Sequence, residues 1–315
     1  MRSKNFYTVL IFLLLSVSAC GLINKEKKVK LSTFTPAFNE NVAYSYIENQ
    51  LAFGNRIPET KAHQQCQIMI QRHFMDLGFM VKSEKAIKQG GRGLVTINNI
   101  VASYKVENPT KQILLATHYD TRALSNDSIP EPVPGANDGA SGTSVLMEIA
   151  NVIKKDSINY NIDFVFLDGQ DQGSDAYPKT WNLGAQRWSK SNKKSYEYGI
   201  VIDMVGAKDA QFVKEKFSSY FCEDLQNKVW NIGEQLDYET YFPQDNTVEQ
   251  LINDHYFINN YSKSKVPTLL IADYRSKEGK YFPQWHTKDD VLEHIHKPTL
   301  KVIGQTLVEL LYLKE

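Results

Sequence analysis

The chain alternates between segments with apolar residues at helical spacing and short, continuous apolar runs. Helical spacing recurs over residues 42–53, 61–77, 144–154, 221–236 and 300–313. The continuous runs are rich in β-branched residues and lie at 97–104, 113–117, 162–167, 200–204 and 268–272. Short apolar strands that alternate with helices predict an α/β domain, whose strands are buried on both faces of a mostly parallel sheet.

The domain organisation follows from the length of the chain. At 315 residues the chain is long enough to bury a large core, and nothing after residue 39 is typical of a linker. We therefore predict a single α/β domain over residues 39–315. Within it we expect the strands 97–104 and 113–117 to be neighbours in the sheet, because a short turn with Pro109 connects them.

Acidic residues and histidines stand close to the ends of the predicted strands. Such side chains follow three strands, as His118, Asp171 and Asp203, while Asp138 lies in a glycine-rich turn and His286 in a late aromatic segment. Ligands of open α/β sheets bind at the edge formed by the carboxyl ends of the strands, so we expect these side chains to meet there. Imidazole and carboxylate groups are typical zinc ligands, and the set therefore predicts a zinc site.

Each of these five residues also has an ordinary structural explanation. A single histidine or aspartate at the end of a strand is more often a cap, a turn residue or a surface residue than a metal ligand. Five such residues, each within a motif, favour a metal site. A purely structural cluster is the weaker alternative, because buried carboxylates and histidines are costly to desolvate without a metal.

The first 19 residues differ from the rest of the chain. Arg2 and Lys4 precede an apolar run at 9–15, and Cys20 follows shortly after it. This pattern predicts a signal peptide over residues 1–19 that ends in a lipobox, with Cys20 as the site of lipid attachment. The run is too short for a membrane-spanning helix, which needs about 20 residues. Residues 20–38 are predicted to be the lipidated N-terminus and a solvated tether.

The charge and the cysteines of the processed chain narrow the class of protein further. Removal of the signal peptide leaves 34 basic and 36 acidic residues, a net charge of about −2, which gives no electrostatic reason to expect nucleic acid as a partner. A lipid anchor would attach the domain to a membrane in an oxidising compartment. Cys66 lies on an apolar helical face, which favours a buried free thiol over the alternative, a disulfide with Cys222.

Eight motifs in a fixed order resemble the glutaminyl cyclase and zinc aminopeptidase superfamily, and most closely its bacterial glutaminyl-peptide cyclotransferase branch. They lie at residues 53–58, 118–122, 135–142, 167–173, 181–188, 198–206, 253–255 and 285–287. The resemblance implies a three-layer sandwich with a mixed, mostly parallel central sheet, a monomer, and peptide or protein N-termini as partners. Gly21 after Cys20 resembles bacterial lipoproteins of the outer membrane, which implies the cell envelope, facing the periplasm or the cell surface.

The resemblance also implies the roles of the five candidate ligands. Asp138, Asp171 and His286 correspond to the residues that bind one zinc ion in the family. Aminopeptidases add a second zinc through the residues that correspond to His118 and Asp203, whereas cyclases keep these residues and usually hold one metal. We therefore expect one zinc ion, with two ions as the alternative.

The cyclase prediction rests on Trp181 and Trp285 as walls of the substrate pocket and on Asp254 as a hydrogen-bonding residue at the reacting centre. One position departs from the family, because the glutamate that precedes the zinc-binding acid is replaced by Gln170. A carboxamide cannot accept a proton at neutral pH, so we expect either low turnover or another base, such as Asp254. The alternatives are a zinc aminopeptidase, which also needs an acid at this position, and a catalytically inactive zinc-containing peptide-binding lipoprotein.

Overall fold

The computed structural model describes residues 29–155, 158–244, 247–248, 250–275 and 278–313. The predicted signal peptide and Cys20 lie outside these residues. The chain divides into two units, Met1–Lys30 and Leu31–Glu315, and the fold described below is that of the second unit.

Helices and strands alternate along this unit, as the apolar pattern predicts. The α-helices of the described residues are α1 (Glu40–Phe53), α2 (Lys61–Asp76), α3 (Ala140–Lys155), α4 (Leu183–Ser191), α5 (Lys216–Gln235), α6 (Asp254–Tyr261) and α7 (Lys297–Tyr312). The strands are β1 (Met80–Gly90), β2 (Gly93–Tyr104), β3 (Gln112–His118), β4 (Asn161–Leu167), β5 (Tyr198–Asp203), β6 (Lys214–Glu215), β7 (Thr247–Val248), β8 (Thr268–Ala272), β9 (Tyr274–Arg275) and β10 (Lys280–Tyr281). Short 3-10 helices cover Pro178–Thr180 and Leu292–His294.

The central sheet is mixed and mostly parallel, in the order β1-β2-β4-β3-β5-β8. Strands β4, β3, β5 and β8 are parallel, whereas β1 and β2 are antiparallel to their neighbours. The prediction that β2 and β3 are adjacent is wrong, because β4 lies between them. The reason is the crossover through α3, which returns the chain to the sheet beside β3 on the side of β2.

Helices cover both faces of the sheet. Helix α3 packs on β3, with α1 and α7 against it, while α4 and α6 pack on the opposite face. The side chains of β4 alternate between the two faces of the sheet. Phe164 and Phe166 contact Phe74 of α2 on one face, and Val165 and Leu167 belong to the core on the other face. The predicted three-layer α/β sandwich is confirmed.

Strand β1 and helices α4 and α6 have no clear signal in the apolar pattern, and neither do the two-residue strands β6, β7, β9 and β10. Strand β1 is an edge strand whose residues are mostly half-buried or exposed, so it carries charged side chains instead of an apolar run. Helices α4 and α6 are short and lie inside polar motifs. Helix α3 begins at Ala140, four residues earlier than predicted, so its first turn directly follows Asp138 and Gly139.

The N-terminal segment and the thiols add two details. Ser32 donates its N–H to Glu309 at 2.6 Å, and the buried Phe38 packs on Gly304, so residues 31–38 of the predicted tether lie against α7. Cys66 is buried and free, as predicted, and Cys222 is also free, so the alternative disulfide is not formed. None of the described helices has the length and apolar composition required to cross a membrane.

Candidate functional site

All five predicted ligand residues converge at the carboxyl edge of the parallel strands. His118 ends β3, and its Nε2 lies 3.0 Å from Oδ1 of Asp138 and 3.2 Å from Oδ1 of Asp203, which ends β5. His286 Nε2 lies 3.3 Å from Oδ1 of Asp171 and 3.5 Å from Oδ2 of Asp138. Asp138 thus stands between the two imidazoles.

The cluster is electrostatically unfavourable without a cation. Each of its residues is at most 5% exposed. Burial, assisted by the charge of Asp171, raises the pKa of Asp138 to about 6, and burial raises the pKa of Asp171 to about 7. Burial also opposes ionisation of Asp203, but the neighbouring His118 outweighs it and holds the pKa of that carboxyl below its usual range.

The donor set fits a divalent metal ion. Ligand atoms of His118, Asp138 and Asp171 all lie within 4.8 Å of one another. Asp138 Oδ2 is buried and makes no hydrogen bond with the described residues. Buried polar atoms of this kind are costly unless a partner such as a cation satisfies them. Imidazole and carboxylate groups are typical zinc donors. Both imidazoles lie at similar distances from the carboxylates, His118 at 3.0–3.2 Å and His286 at 3.3–3.5 Å.

Two residues hold the glycine-rich turn that carries Asp138. Asp290 accepts the backbone N–H of Asp138 at 2.9 Å. The fully buried guanidinium of Arg56 donates to the carbonyl oxygens of Pro134 at 2.8 Å and Gly135 at 2.6 Å. Sequence patterns give no signal for the roles of Arg56 and Asp290, although Arg56 lies in the motif 53–58 and Asp290 lies three residues after the motif 285–287.

Asp120 holds the loop that carries Asp171. Its carboxylate accepts the backbone N–H groups of Gln170 at 3.0 Å and Asp171 at 3.2 Å, and the side-chain amide of Gln172 at 3.0 Å. Residues that orient metal ligands in this way fix the geometry of a site. Asp120 was also missed, and the only signal for it is its position two residues after His118.

A cavity of about 300 Å³ opens beside the candidate ligands, and both predicted tryptophans line it. The rings of Trp181 and His286 are nearly parallel, with centroids 5.7 Å apart, and the Trp285 ring lies 3.9 Å from the same imidazole. His286 has a φ of 57°, in the left-handed region that non-glycine residues rarely adopt. Mostly apolar walls with a few polar groups suit a small uncharged side chain.

The polar wall of this cavity is an amide network. Gln170 lines the cavity and donates from Nε2 to Asp254 Oδ2 at 3.2 Å and to Asn253 Oδ1 at 3.3 Å. Asp254 has no exposed surface, does not line the cavity and accepts a second amide hydrogen bond, from Asn182, at 3.0 Å. Burial raises the pKa of Asp254 to about 7. Any effect of Asp254 on the cavity therefore passes through residues such as Gln170 and Asn182, which line the cavity and donate to its carboxylate.

Solved structures share this fold over most of the chain. A glutaminyl cyclase of Bacteroides thetaiotaomicron, bound to N-acetylhistamine, is 35% identical with a TM-score of 0.84, covering 90% of this chain and 100% of that one. A Zn-dependent exopeptidase of Parabacteroides distasonis is 34% identical with a TM-score of 0.84, covering 89% of this chain and 100% of that one. The similarity to glutaminyl cyclases that the motifs predict is confirmed.

Sequence comparison gives the family. An aminopeptidase of Bacillus subtilis is 26% identical over 226 residues, which cover 69% of this chain. The match spans 44% of that aminopeptidase, so the chain covers less than half the length of this relative. The sequence model of Peptidase family M28 matches residues 99–311, a stretch that contains all five candidate ligands. Since this match extends over more than half of the sequence, the chain belongs to peptidase family M28.

Proposed function

We propose that the protein is a zinc-dependent glutaminyl-peptide cyclotransferase, which converts the N-terminal glutamine of peptides to pyroglutamate. The observation that carries this proposal is the tryptophan-walled cavity beside the ligand cluster, in a chain similar over 90% of its length to a glutaminyl cyclase. The proposed partners are peptide or protein N-termini, the proposed metal count is one zinc per monomer, and nucleic acid is not an expected partner.

In this proposal Asp138, Asp171 and His286 would hold the zinc ion. When bound, zinc supplies Lewis-acid polarisation of the γ-carboxamide oxygen of the substrate. Trp181 and Trp285 hold the uncharged glutamine side chain and exclude water from it.

The product is a five-membered lactam. The α-amine nitrogen of the substrate forms a bond to the δ-carbon, which is the carbonyl carbon of the γ-carboxamide, the bond from that carbon to the amide nitrogen breaks, and ammonia leaves. The reaction therefore requires a proton to move from the attacking amine to the departing nitrogen. In this proposal the cavity residue closest to the two reacting nitrogen atoms is Gln170, and Asp254 lies behind it.

Gln170 can orient the amine but cannot act as the base. Its Nε2 is engaged with Asp254 and Asn253, which leaves Oε1 as an acceptor for the N–H of the substrate amine. Because a carboxamide oxygen does not take up a proton at neutral pH, this residue fixes the direction of the amine and no more. We propose that Gln170 occupies the base position of the family and that turnover is slow, since general acid–base catalysis is typically worth about 10²–10⁴-fold.

Two other functions have specific support. A zinc aminopeptidase is favoured by the second potential metal pair, His118 and Asp203, which lie 3.2 Å apart, and by the relative in Bacillus subtilis. A catalytically inactive, zinc-containing peptide-binding lipoprotein is favoured by the absence of a carboxylate at position 170. Both share the metal cluster and the cavity with the cyclase, so only the products distinguish them.

The location of the protein is also a proposal. We propose that the chain is anchored by a lipid on Cys20 in the bacterial cell envelope, at the outer membrane, facing the periplasm or the cell surface. The support is the sequence pattern of residues 1–21. Cys20→Ser is expected to abolish incorporation of radiolabelled fatty acid. Equal labelling of both proteins would contradict the proposal.

The function is tested with the zinc-loaded protein and two sets of peptides. Peptides with N-terminal glutamine should release ammonia and yield pyroglutamate, whereas aminoacyl reporter peptides should remain intact. Asp138→Asn is the control, because loss of a candidate ligand should abolish the reaction. Release of free amino acids from both sets would instead support the aminopeptidase, and tight binding without turnover would support the peptide-binding protein.

A further inference from the structure

We infer that a second cavity next to the substrate cavity binds the residues that follow the N-terminal glutamine and prefers acidic side chains among them. This inference rests on the proposed function. The second cavity measures about 330 Å³ and lies between the turn of the β1–β2 hairpin and three loops of the site edge. Asp171 lines both cavities, so they adjoin at a candidate metal ligand.

Arg122 forms the boundary between the two cavities. Its guanidinium carbon lies 4.7 Å from the ring centroid of Trp181, a wall of the first cavity, while its side chain lines the second. Its Nη1 lies 3.5 Å from the carbonyl oxygen of Asp171, and its buried Nε makes no hydrogen bond with the described residues. A peptide that leaves the first cavity in this direction therefore meets the guanidinium group of Arg122, which lines the second cavity.

The hairpin turn supplies a second arginine. Arg92 is exposed and lines the second cavity. The turn is fixed, because Gly91 donates its N–H to the carbonyl oxygen of Gln172 at 2.8 Å, and a Cβ at Gly91 would come within 2.7 Å of Ser174. Because Gly91 packs against the loop that carries Asp171, Arg92 is held at the rim of the second cavity.

The charges around this cavity favour an anion. Two arginines, Arg92 and Arg122, and two acidic residues, Glu59 and Asp171, line it. In the proposed function the metal neutralises the charge of Asp171, so two positive charges face one free carboxylate. Hydrogen bonds between guanidinium and carboxylate groups are among the stronger ones in proteins, and complementary charge sets specificity more than affinity. Glutamate or aspartate at the second or third residue of the peptide is the ligand chemistry that this cavity recognises.

The test measures binding of amidated peptides to the zinc-loaded full chain by calorimetry. Three peptides start with glutamine and carry two glutamates, two serines or two lysines at positions two and three. Exposed ion pairs are worth about 0.2–1 kcal/mol, so the glutamate peptide should bind about 1.4- to 5-fold more tightly than the serine peptide. The preference should weaken at high salt. Arg92→Ala should weaken it, because only Arg122 remains, and Arg92→Glu should reverse it in favour of the lysine peptide.

A matched control separates this effect from the total charge of the protein. Arg72 is an exposed arginine of α2 that lines neither cavity, so Arg72→Glu should leave the preference unchanged. Equal affinities for the three peptides, or an unchanged preference in Arg92→Glu, would overturn the inference while leaving the proposed function intact. If none of the glutamine peptides binds, the proposed function itself fails, and the inference fails with it.

Discussion

The side-chain amide of Gln170 donates a hydrogen bond of 3.2 Å to Oδ2 of Asp254. This contact joins the residue that faces the substrate cavity to a fully buried carboxyl group behind it. A glutamate at position 170 would bring two carboxyl groups to hydrogen-bond distance, and such a pair shares one proton, because two like charges cannot both be stable there. The amide therefore removes from the site a group that could exchange a proton with the substrate.

Gln170→Glu is predicted to raise the rate of cyclisation by about 10²–10⁴-fold, because it supplies a base at the cavity wall. The measurement is kcat/KM for a peptide with N-terminal glutamine. Asp254→Asn in the same background is the matched control, since it keeps a hydrogen-bonding group behind residue 170 but cannot share a proton with it. A native protein that cyclises rapidly and does not respond to Gln170→Glu would show that position 170 is not the base position.

Asp254 is predicted to make stability depend on pH. Burial raises its pKa in the folded state to about 7, above the value of about 3.9 for an unfolded chain. Between these values the folded state holds a proton that the unfolded state has lost, so the contribution of Asp254 to stability falls as pH rises through this window. The unfolding free energy of Asp254→Asn minus that of the native protein, measured by urea unfolding, should therefore be larger at pH 8 than at pH 5. An identical pH profile of the two proteins would contradict this.

Arg56 is predicted to be essential for the turn that carries Asp138. It is fully buried, and its guanidinium donates to carbonyl oxygens of Tyr119, Pro134 and Gly135. Arg56→Ala leaves these buried carbonyl groups without a donor, which is expected to cost about 2–5 kcal/mol of unfolding free energy and to weaken zinc binding.

Arg56→Lys should recover only part of the stability, because an ammonium group cannot reproduce the planar fork of the guanidinium. The exposed Arg72→Ala serves as the control and should change stability by no more than about 0.5 kcal/mol. An Arg56→Ala protein as stable as this control would mean that the turn does not depend on the buried arginine.

The ligand cluster could be predicted from sequence because strand ends are visible in the apolar pattern. His118 and Asp203 end β3 and β5, and strand order does not matter for residues that all reach the same edge of the sheet. The neighbour relation of β2 and β3 could not be predicted in the same way, because it depends on where the α3 crossover returns the chain.

The supporting residues were hidden for a different reason. Asp290 and Arg56 act through hydrogen bonds to backbone atoms that lie 152 and 78–79 positions away along the chain. Backbone donors and acceptors carry no sequence signature, so no spacing marks these contacts. The concealed position of Asp254 behind Gln170 likewise depends on packing between α4 and α6, which the motif alone does not reveal.

The central claim is that Asp138, together with its neighbours, binds zinc, and the zinc content of the purified protein tests it most directly. Elemental analysis after dialysis should find about one zinc ion per native chain, and none in Asp138→Asn. A free zinc concentration of 100 times the Kd should add about 2.7 kcal/mol to the unfolding free energy of the native protein. A native protein that retains no zinc, or an Asp138→Asn protein that retains as much as the native one, would contradict the account.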